Sequence, residues 1–186
     1  MTITRLTPAD AETYRTLMLQ GYALHPEAFT ASVAERGPLP ISWWHQRLQP
    51  GADARERVLG AWMGGELAGV AGLSFEARER SRHKATLFGM YVPQQHRQRG
   101  LGRQLVQAVL AEAAQRPDTL LVQLTVTAGN AAAQSLYAAC GFVPFGTEPF
   151  AVQLGTGFVD KVHMWCDLGK RPGWSSSNSA PHTTKG

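Results

Sequence analysis

The chain has 186 residues, 44% hydrophobic and 17% charged, which suits one globular domain and excludes a disordered chain. No run approaches the ~18 apolar residues of a membrane span, the start Met1-Thr2-Ile3-Thr4-Arg5-Leu6 has no apolar leader core, and Cys140 and Cys166 are too few for a disulfide framework or a four-cysteine zinc site, so a cytoplasmic protein with no membrane role is expected. The net charge of +4 is mostly terminal: without Lys170, Arg171 and Lys185, which stand in a stretch with no acid, 15 basic residues face 14 acidic ones, and bulk charge does not point to nucleic acid.

In chain order, Ile3–Leu6 reads as a short strand. Thr7-Pro8-Ala9-Asp10 opens a helix, with Thr7 as N-cap and Pro8 at the first helical position. Tyr14, Leu17, Met18 and Tyr22 continue it as an apolar stripe, which His25-Pro26-Glu27-Ala28-Phe29 interrupts. A second helical piece surrounds Ile41–Leu48. From Arg57 the period becomes that of strands: Val58–Met63, the turn Gly64-Gly65, then Glu66–Phe75 form a hairpin. Lys84–Val92 is a strand stopped by Pro93, and Gly89 inside it predicts a bulge or a close backbone approach. A helix from about Gly100 to Arg116 follows, with Leu101, Leu105, Val109 and Ala113 on one face. Leu120–Val126 is a buried strand. Asn130 caps a short helix, Ala131–Ala139, and Gly141 suits its left-handed exit. Phe142–Phe145 and Phe158–Leu168 are the closing strands. The crossover from Val92 to Leu120 implies parallel pairing of its two strands, with hairpins elsewhere. The result is a mixed α/β layer fold over residues 1–168, followed by a Ser/Pro/Gly-rich tail, 169–186, expected to be flexible, with Trp174 its one anchor.

The most informative segment is Val92-Pro93-Gln94-Gln95-His96-Arg97-Gln98-Arg99-Gly100-Leu101-Gly102-Arg103. It stands between a strand and a helix, where the first amides lack internal partners and the helix dipole is positive. Glycines let an anion approach those amides, and Arg97, Arg99 and Arg103 add charge. The dinucleotide fingerprint needs a third glycine where Leu105 stands, and the triphosphate loop needs Gly-Lys-Ser/Thr where Gly102-Arg103-Gln104 stands, so a pyrophosphate held without a metal loop fits better.

Arg97-Gln98-Arg99-Gly100-Leu101-Gly102 resembles the Gln/Arg-x-x-Gly-x-Gly/Ala signature of the GNAT superfamily of acetyl-CoA-dependent N-acetyltransferases. Asn130-Ala-Ala-Ala133-Gln-Ser-Leu136-Tyr137-Ala-Ala-Cys-Gly141-Phe142 resembles that family's Asn-x-x-Ala-x-x-Leu-Tyr-x-x-x-Gly-Phe segment, at the family's distance. The resemblance covers residues 3–168, closely from Val58 to Phe142. It implies a mixed sheet splayed at the cofactor site with helices on both faces. It also implies acetyl-CoA as co-substrate, its arm bonded by the backbone of Met90, Tyr91 and Val92 and its pyrophosphate met by the amides from Arg97 through Gln98, Arg99, Gly100, Leu101 and Gly102 to Arg103. Relatives often pair, so a homodimer is allowed.

Acetyl transfer from a thioester needs a neutral amine, a polarised carbonyl oxygen and a proton for the leaving thiolate. Tyr137, with a reference pKa of ~10, suits the last task. Asn130 is almost two turns before it, on the same helix side, and can both cap the helix and bond the cofactor arm. The family resemblance implies the same roles, and by fold analogy the backbone N–H of Met90 or a neighbour serves the oxyanion. The general base stays open. Some relatives use a glutamate on the strand before the signature, but Lys84–Val92 contains no carboxylate and Thr86 stands in that region. Glu27, Glu76, His83 or a water chain are the substitutes; Glu27 is in a segment that resembles the substrate-side loop of some members. The six histidines show no metal-ligand spacing, and His163 reads as a packed core residue. The acceptor is a small-molecule or peptide amine. A non-catalytic acyl-CoA-binding module is the alternative, one that would not need Tyr137; an RNA-associated role is disfavoured by the near-neutral core.

Overall fold

The computed structural model describes residues 1–169. The expected tail, 170–186 with Trp174, lies outside the described residues. Seven strands form one sheet: β1 (Thr2–Arg5), β2 (Glu56–Met63), β3 (Glu66–Phe75), β4 (Lys84–Tyr91), β5 (Leu121–Thr127), β6 (Val143–Leu154) and β7 (Gly157–Asp167), in the order β1-β2-β3-β4-β5-β7-β6. Only β4 and β5 are parallel, as the crossover required; the other pairs are antiparallel.

The helices are α1 (Ala11–Leu24), α2 (Val33–Arg36), α3 (Ile41–Arg47), α4 (Leu101–Ala114) and α5 (Ala131–Ala139). Two apolar layers flank the sheet. On one face Tyr14, Met18 and Tyr22 of α1 and Trp44 of α3 pack on Val58, Val70 and Tyr91. On the other, Leu105, Val106 and Val109 of α4 and Tyr137 of α5 pack on Leu73, Leu87, Val122 and Leu124. β3 is buried on both faces over most of its length, which explains its continuous apolar run.

Three differences from the sequence reading have physical causes. The residues between Phe145 and Phe158 are strand, because β6 runs on as one partner of a long hairpin with β7 despite its two prolines, Pro144 and Pro149, which an outer edge tolerates. α2 was not expected; its four residues are nucleated by Ser32 and Glu35, which cap each other's backbone N–H groups. The first helix opens with a 3-10 turn, Pro8–Asp10, before α1 begins.

The irregularity expected at Gly89 is present. Gly72 pairs with Phe88 and Val70 with Tyr91, so β4 spends one residue more than β3 between those points. Gly89 takes φ 57°, the left-handed region where a side chain is strained. The bulge reverses the alternation: Phe88 and Tyr91 face α1 and α3, while Met90 packs with the α4–α5 layer. Replacing Gly89 with Ala is expected to cost about 1–2 kcal/mol through φ alone, since the new Cβ would meet only Met18 Cε at 3.6 Å. Urea unfolding of the variant measures this.

Candidate active site

β4 and β5 pair only over Lys84–Thr86 with Leu121–Gln123. Beyond that they part. β3 still covers one edge of β4 and β7 still covers one edge of β5, but among the described residues the edges that face each other have no strand partner. A cleft of about 550 Å³ occupies this opening. Its walls are the end of β4 (Met90 and Tyr91) with Val92 after it, the loop and first turn of α4 (Arg97, Gln98, Gly100, Leu101, Gly102 and Arg103), one side of α5 with its cap (Asn130 to Tyr137) and the turn around His25–Phe29. Every residue expected at the site is here except Arg99, which is exposed and outside the lining.

The loop into α4 is built to present amides. Gln98 (φ 61°) and Gly100 (φ 77°) are both left-handed, and Gly100 is the N-cap. The first turn of α4 holds no acid, so its N–H groups and dipole face the cleft without a competing charge. Gly102 is there for space: a Cβ would stand 3.1 Å from Leu136 Cδ2 and 3.3 Å from Met90 Cε. The three arginines do not act alike. Arg97 donates through Nε to the carbonyl of Val92 (2.9 Å) and through Nη2 to His25 Nε2 (2.9 Å), so its guanidinium ties the loop to β4. Of the three, Arg103 alone both lines the cleft and keeps an exposed side chain without such ties among the described residues.

Tyr137 is 8% exposed, edge-on to Phe142. Its hydroxyl donates to Met90 Sδ at 3.5 Å, a weak acceptor for a phenol. Burial, with a smaller contribution from Cys140, pushes its pKa up to about 12. The phenol therefore holds its proton at any ordinary pH and aims it across the cleft. Asn130 caps α5 as expected, its Oδ1 accepting from the Ala133 N–H at 3.1 Å. The cap uses only the oxygen, which leaves the amide Nδ2 to donate into the cleft.

Glu27 stands in the turn Pro26–Ala28, half exposed, 3.5 Å from His25 Nδ1. Because Arg97 donates to His25 Nε2, that nitrogen accepts and Nδ1 carries the hydrogen toward Glu27. The turn is clamped to the sheet from below. Lys161, 4% exposed, donates to the Ala28 carbonyl (3.1 Å) and to Thr127 Oγ1 (3.0 Å), and Thr127 donates to the Glu27 carbonyl (2.6 Å). Burial holds the Lys161 pKa below its ordinary value, against smaller opposing pulls from Glu27 and Glu148. Asp160 does not join them; it accepts from the Phe150 N–H on β6. His25, Lys161 and Thr127 carry no motif and their partners are distant in sequence, so no spacing could reveal them. His163 is not a core residue: it is one-third exposed and bonded to Glu148 at 2.9 Å. Glu76 is a half-buried loop acid that accepts from the N–H groups of Ala77 and Arg78.

The profile of the Acetyltransferase (GNAT) family matches residues 16–142. The chain belongs to the GNAT acetyltransferase family. Solved structures agree with this. A GNAT-family acetyltransferase from Streptococcus pneumoniae superposes with a TM-score of 0.80 at 25% identity, over 90% of this chain and 99% of that one. A ribosomal-protein-alanine N-acetyltransferase from Brucella melitensis gives 0.74 at 25% identity, over 90% and 99%. The putative acetyltransferase yncA from Salmonella typhimurium, solved with its cofactor acetyl-CoA, gives 0.75 at 22% identity, over 95% and 98%. No curated protein matches the chain. The protein is thus an acetyl-CoA-dependent N-acetyltransferase with the family's splayed mixed sheet. Among the described residues, no helix is long and apolar enough to cross a membrane.

All four tyrosines, Tyr14, Tyr22, Tyr91 and Tyr137, have pKa values raised by burial. A raised native pKa gives stability that is complete below the unfolded value of ~10 and is lost as pH climbs through the native one. Phenolate absorbance of the native acetyltransferase is therefore expected to rise well above pH ~10, later than in the denatured chain. Stability to urea should fall over the same interval.

Proposed function

We propose that this acetyltransferase passes the acetyl group straight to a primary amine, with Tyr137 as the acid for the departing sulfur. The observation that carries this is the Tyr137 hydroxyl: dry, protonated up to about pH 12, and bonded to a sulfur beside the unpaired edge of β4. Acetyl-CoA supplies an acetyl group activated as a thioester. The N–H groups of Leu101, Gly102 and Arg103, with the Arg103 side chain, are suited to the pyrophosphate. The free backbone edge at Met90, Tyr91 and Val92, with Asn130 Nδ2, suits the amide-bearing arm.

The remaining steps fall to groups around the bulge. The left-handed Gly89 interrupts the strand pattern, and on this reading the N–H of Met90 or a neighbour donates to the oxygen that gains charge. Glu27, held near His25 Nδ1, takes the proton of the attacking amine directly or through a water. Tyr137 on α5 and Glu27 on the Pro26–Ala28 turn line the same cleft. The ribosomal-protein-alanine enzyme named above acts on a protein amine, so both small-molecule and peptide acceptors belong to this reading. A cytoplasmic setting fits the two free cysteines, Cys140 and Cys166.

Tyr137→Phe is expected to keep acetyl-CoA binding and lower turnover by about 10²-fold, the usual worth of a general acid. Full turnover in that variant would mean that solvent protonates the sulfur. Gly102→Glu is expected to abolish acetyl-CoA binding in calorimetry, because the side chain collides with Leu136 and Met90 and brings a like charge to the pyrophosphate. An unchanged affinity would remove the pyrophosphate from this turn.

A further inference from the structure

Lys161 is a cation kept out of water on β7, opposite Thr127 of β5 and Glu148 of β6. A dehydrated ammonium is costly unless each of its three hydrogens finds an acceptor. Lys161 forms no ion pair among the described residues; Glu27 is beside His25, and Glu148 is bonded to His163. Its Nζ donates instead to the Ala28 carbonyl (3.1 Å), to Thr127 Oγ1 (3.0 Å) and, at the limit of reach, to the Glu27 carbonyl (3.5 Å). Thr127, buried as well, donates its own hydroxyl proton to that Glu27 carbonyl at 2.6 Å. The lysine and the threonine thus converge on two successive carbonyls that lie far from both in sequence.

Those carbonyls belong to the 3-10 turn Pro26–Ala28. So short a turn is a weak unit; its Ala28 N–H bonds the His25 carbonyl at 3.0 Å, and its orphan carbonyls suit a cation. Glu27 is gripped on one side and free on the other: its carbonyl is held by the sheet, while the residue lines the cleft with a half-exposed carboxylate. The Cα of Glu27 joins the two, so a rotation of the clamped peptide would swing the carboxylate through the cleft. A methionine at 161 would fill the same space without a dehydrated charge. The charge is explained by what it holds.

We propose that Lys161 and Thr127 are positioning residues of the transfer reaction: they fix the backbone of Glu27 so that its carboxylate stands where the proton of the attacking amine is taken. This rests on the reading of Glu27 as the base and deepens it. Neither residue is among those that line the cleft, so both act through Glu27. Misplacing a reacting group by an ångström is enough to slow a reaction by about 10²-fold.

The test is a mutant cycle on the full chain, read by thiol release from acetyl-CoA with whichever of the twenty amino acids, spermidine or an alanyl peptide the unaltered protein uses fastest. Lys161→Met and Thr127→Val keep the shape of the side chains and remove their hydrogen bonds to the turn. Each is expected to lower kcat by about tenfold or more, and Thr127→Ser should restore most of the Thr127→Val loss. Calorimetric affinity for acetyl-CoA, which also reports folding, should stay within about twofold, and in a Glu27→Gln background Lys161→Met should slow transfer by no more than about twofold further. A merely structural role would slow both backgrounds alike. Equal losses in the two backgrounds, or full kcat in Lys161→Met and Thr127→Val, would overturn the proposal, while a slow Glu27→Gln would still leave Glu27 as the base. Full kcat in Glu27→Gln would overturn the base reading and the proposal together. Hydrogen exchange needs no acceptor: the amides of residues 27–29 should exchange faster in both single variants, and unchanged exchange would also overturn the proposal.

Discussion

Parallel strands normally pair along their whole length, because a peptide group left without a partner away from water costs free energy. β4 and β5 pair for three residues each and then separate. The separation is held by what lies on either side: β3 keeps β4, β7 keeps β5, and the bulge at Gly89 turns β4 at the place where the two part. The functional features follow from that vacancy in the hydrogen-bond ladder. It creates a polar backbone edge in an apolar surrounding, and an amide-bearing arm can pair with that edge as a strand would. It also connects the two faces of the sheet, so a donor entering from the α4–α5 side can meet an acceptor lying on the other.

The chemistry gathers where these two faces join. Met90, reversed by the bulge, reaches the α5 side and meets Tyr137; Phe88, two residues before, stays on the α3 side beside Arg47. One backbone irregularity thus assigns neighbouring side chains to opposite faces of the sheet. Burial then does for the phenol what a charged acid could not do for itself: a neutral O–H survives desolvation with its proton fixed, whereas a carboxylic acid would need a special environment to stay protonated. Glu27 has the opposite requirement and the opposite setting, half exposed beside His25 on a turn pinned by a buried lysine.

The sequence makes the local parts of this legible. Gly89 predicts a bulge and Asn130 predicts a cap; each is a constraint on one residue's own backbone and is found in place, and Gly100 and Gly102 stand at the start of a helix as read. The crossover rule supplies the parallel pair. What the sequence hides depends on contacts across the fold. Arg97 resembles a phosphate ligand by position, but its guanidinium is taken by the Val92 carbonyl and His25, 72 residues away. Arg99 shares the motif's spacing yet faces outward. His163 carries an apolar neighbourhood in sequence and a carboxylate partner in space, because alternation along β7 puts Met164 in the core and His163 on the open face. Arg36 and Trp43 sit in segments with no signature, and their contact follows from the packing of α2 and α3 on α1.

The most direct measurement is a crystal structure of the complex with CoA. The account predicts that the arm lies along the free edge of β4 between Met90 and Val92, with its sulfur displacing Met90 Sδ as the partner of the Tyr137 hydroxyl. A sulfur far from that hydroxyl, or a coenzyme bound outside the opening between β4 and β5, would contradict it.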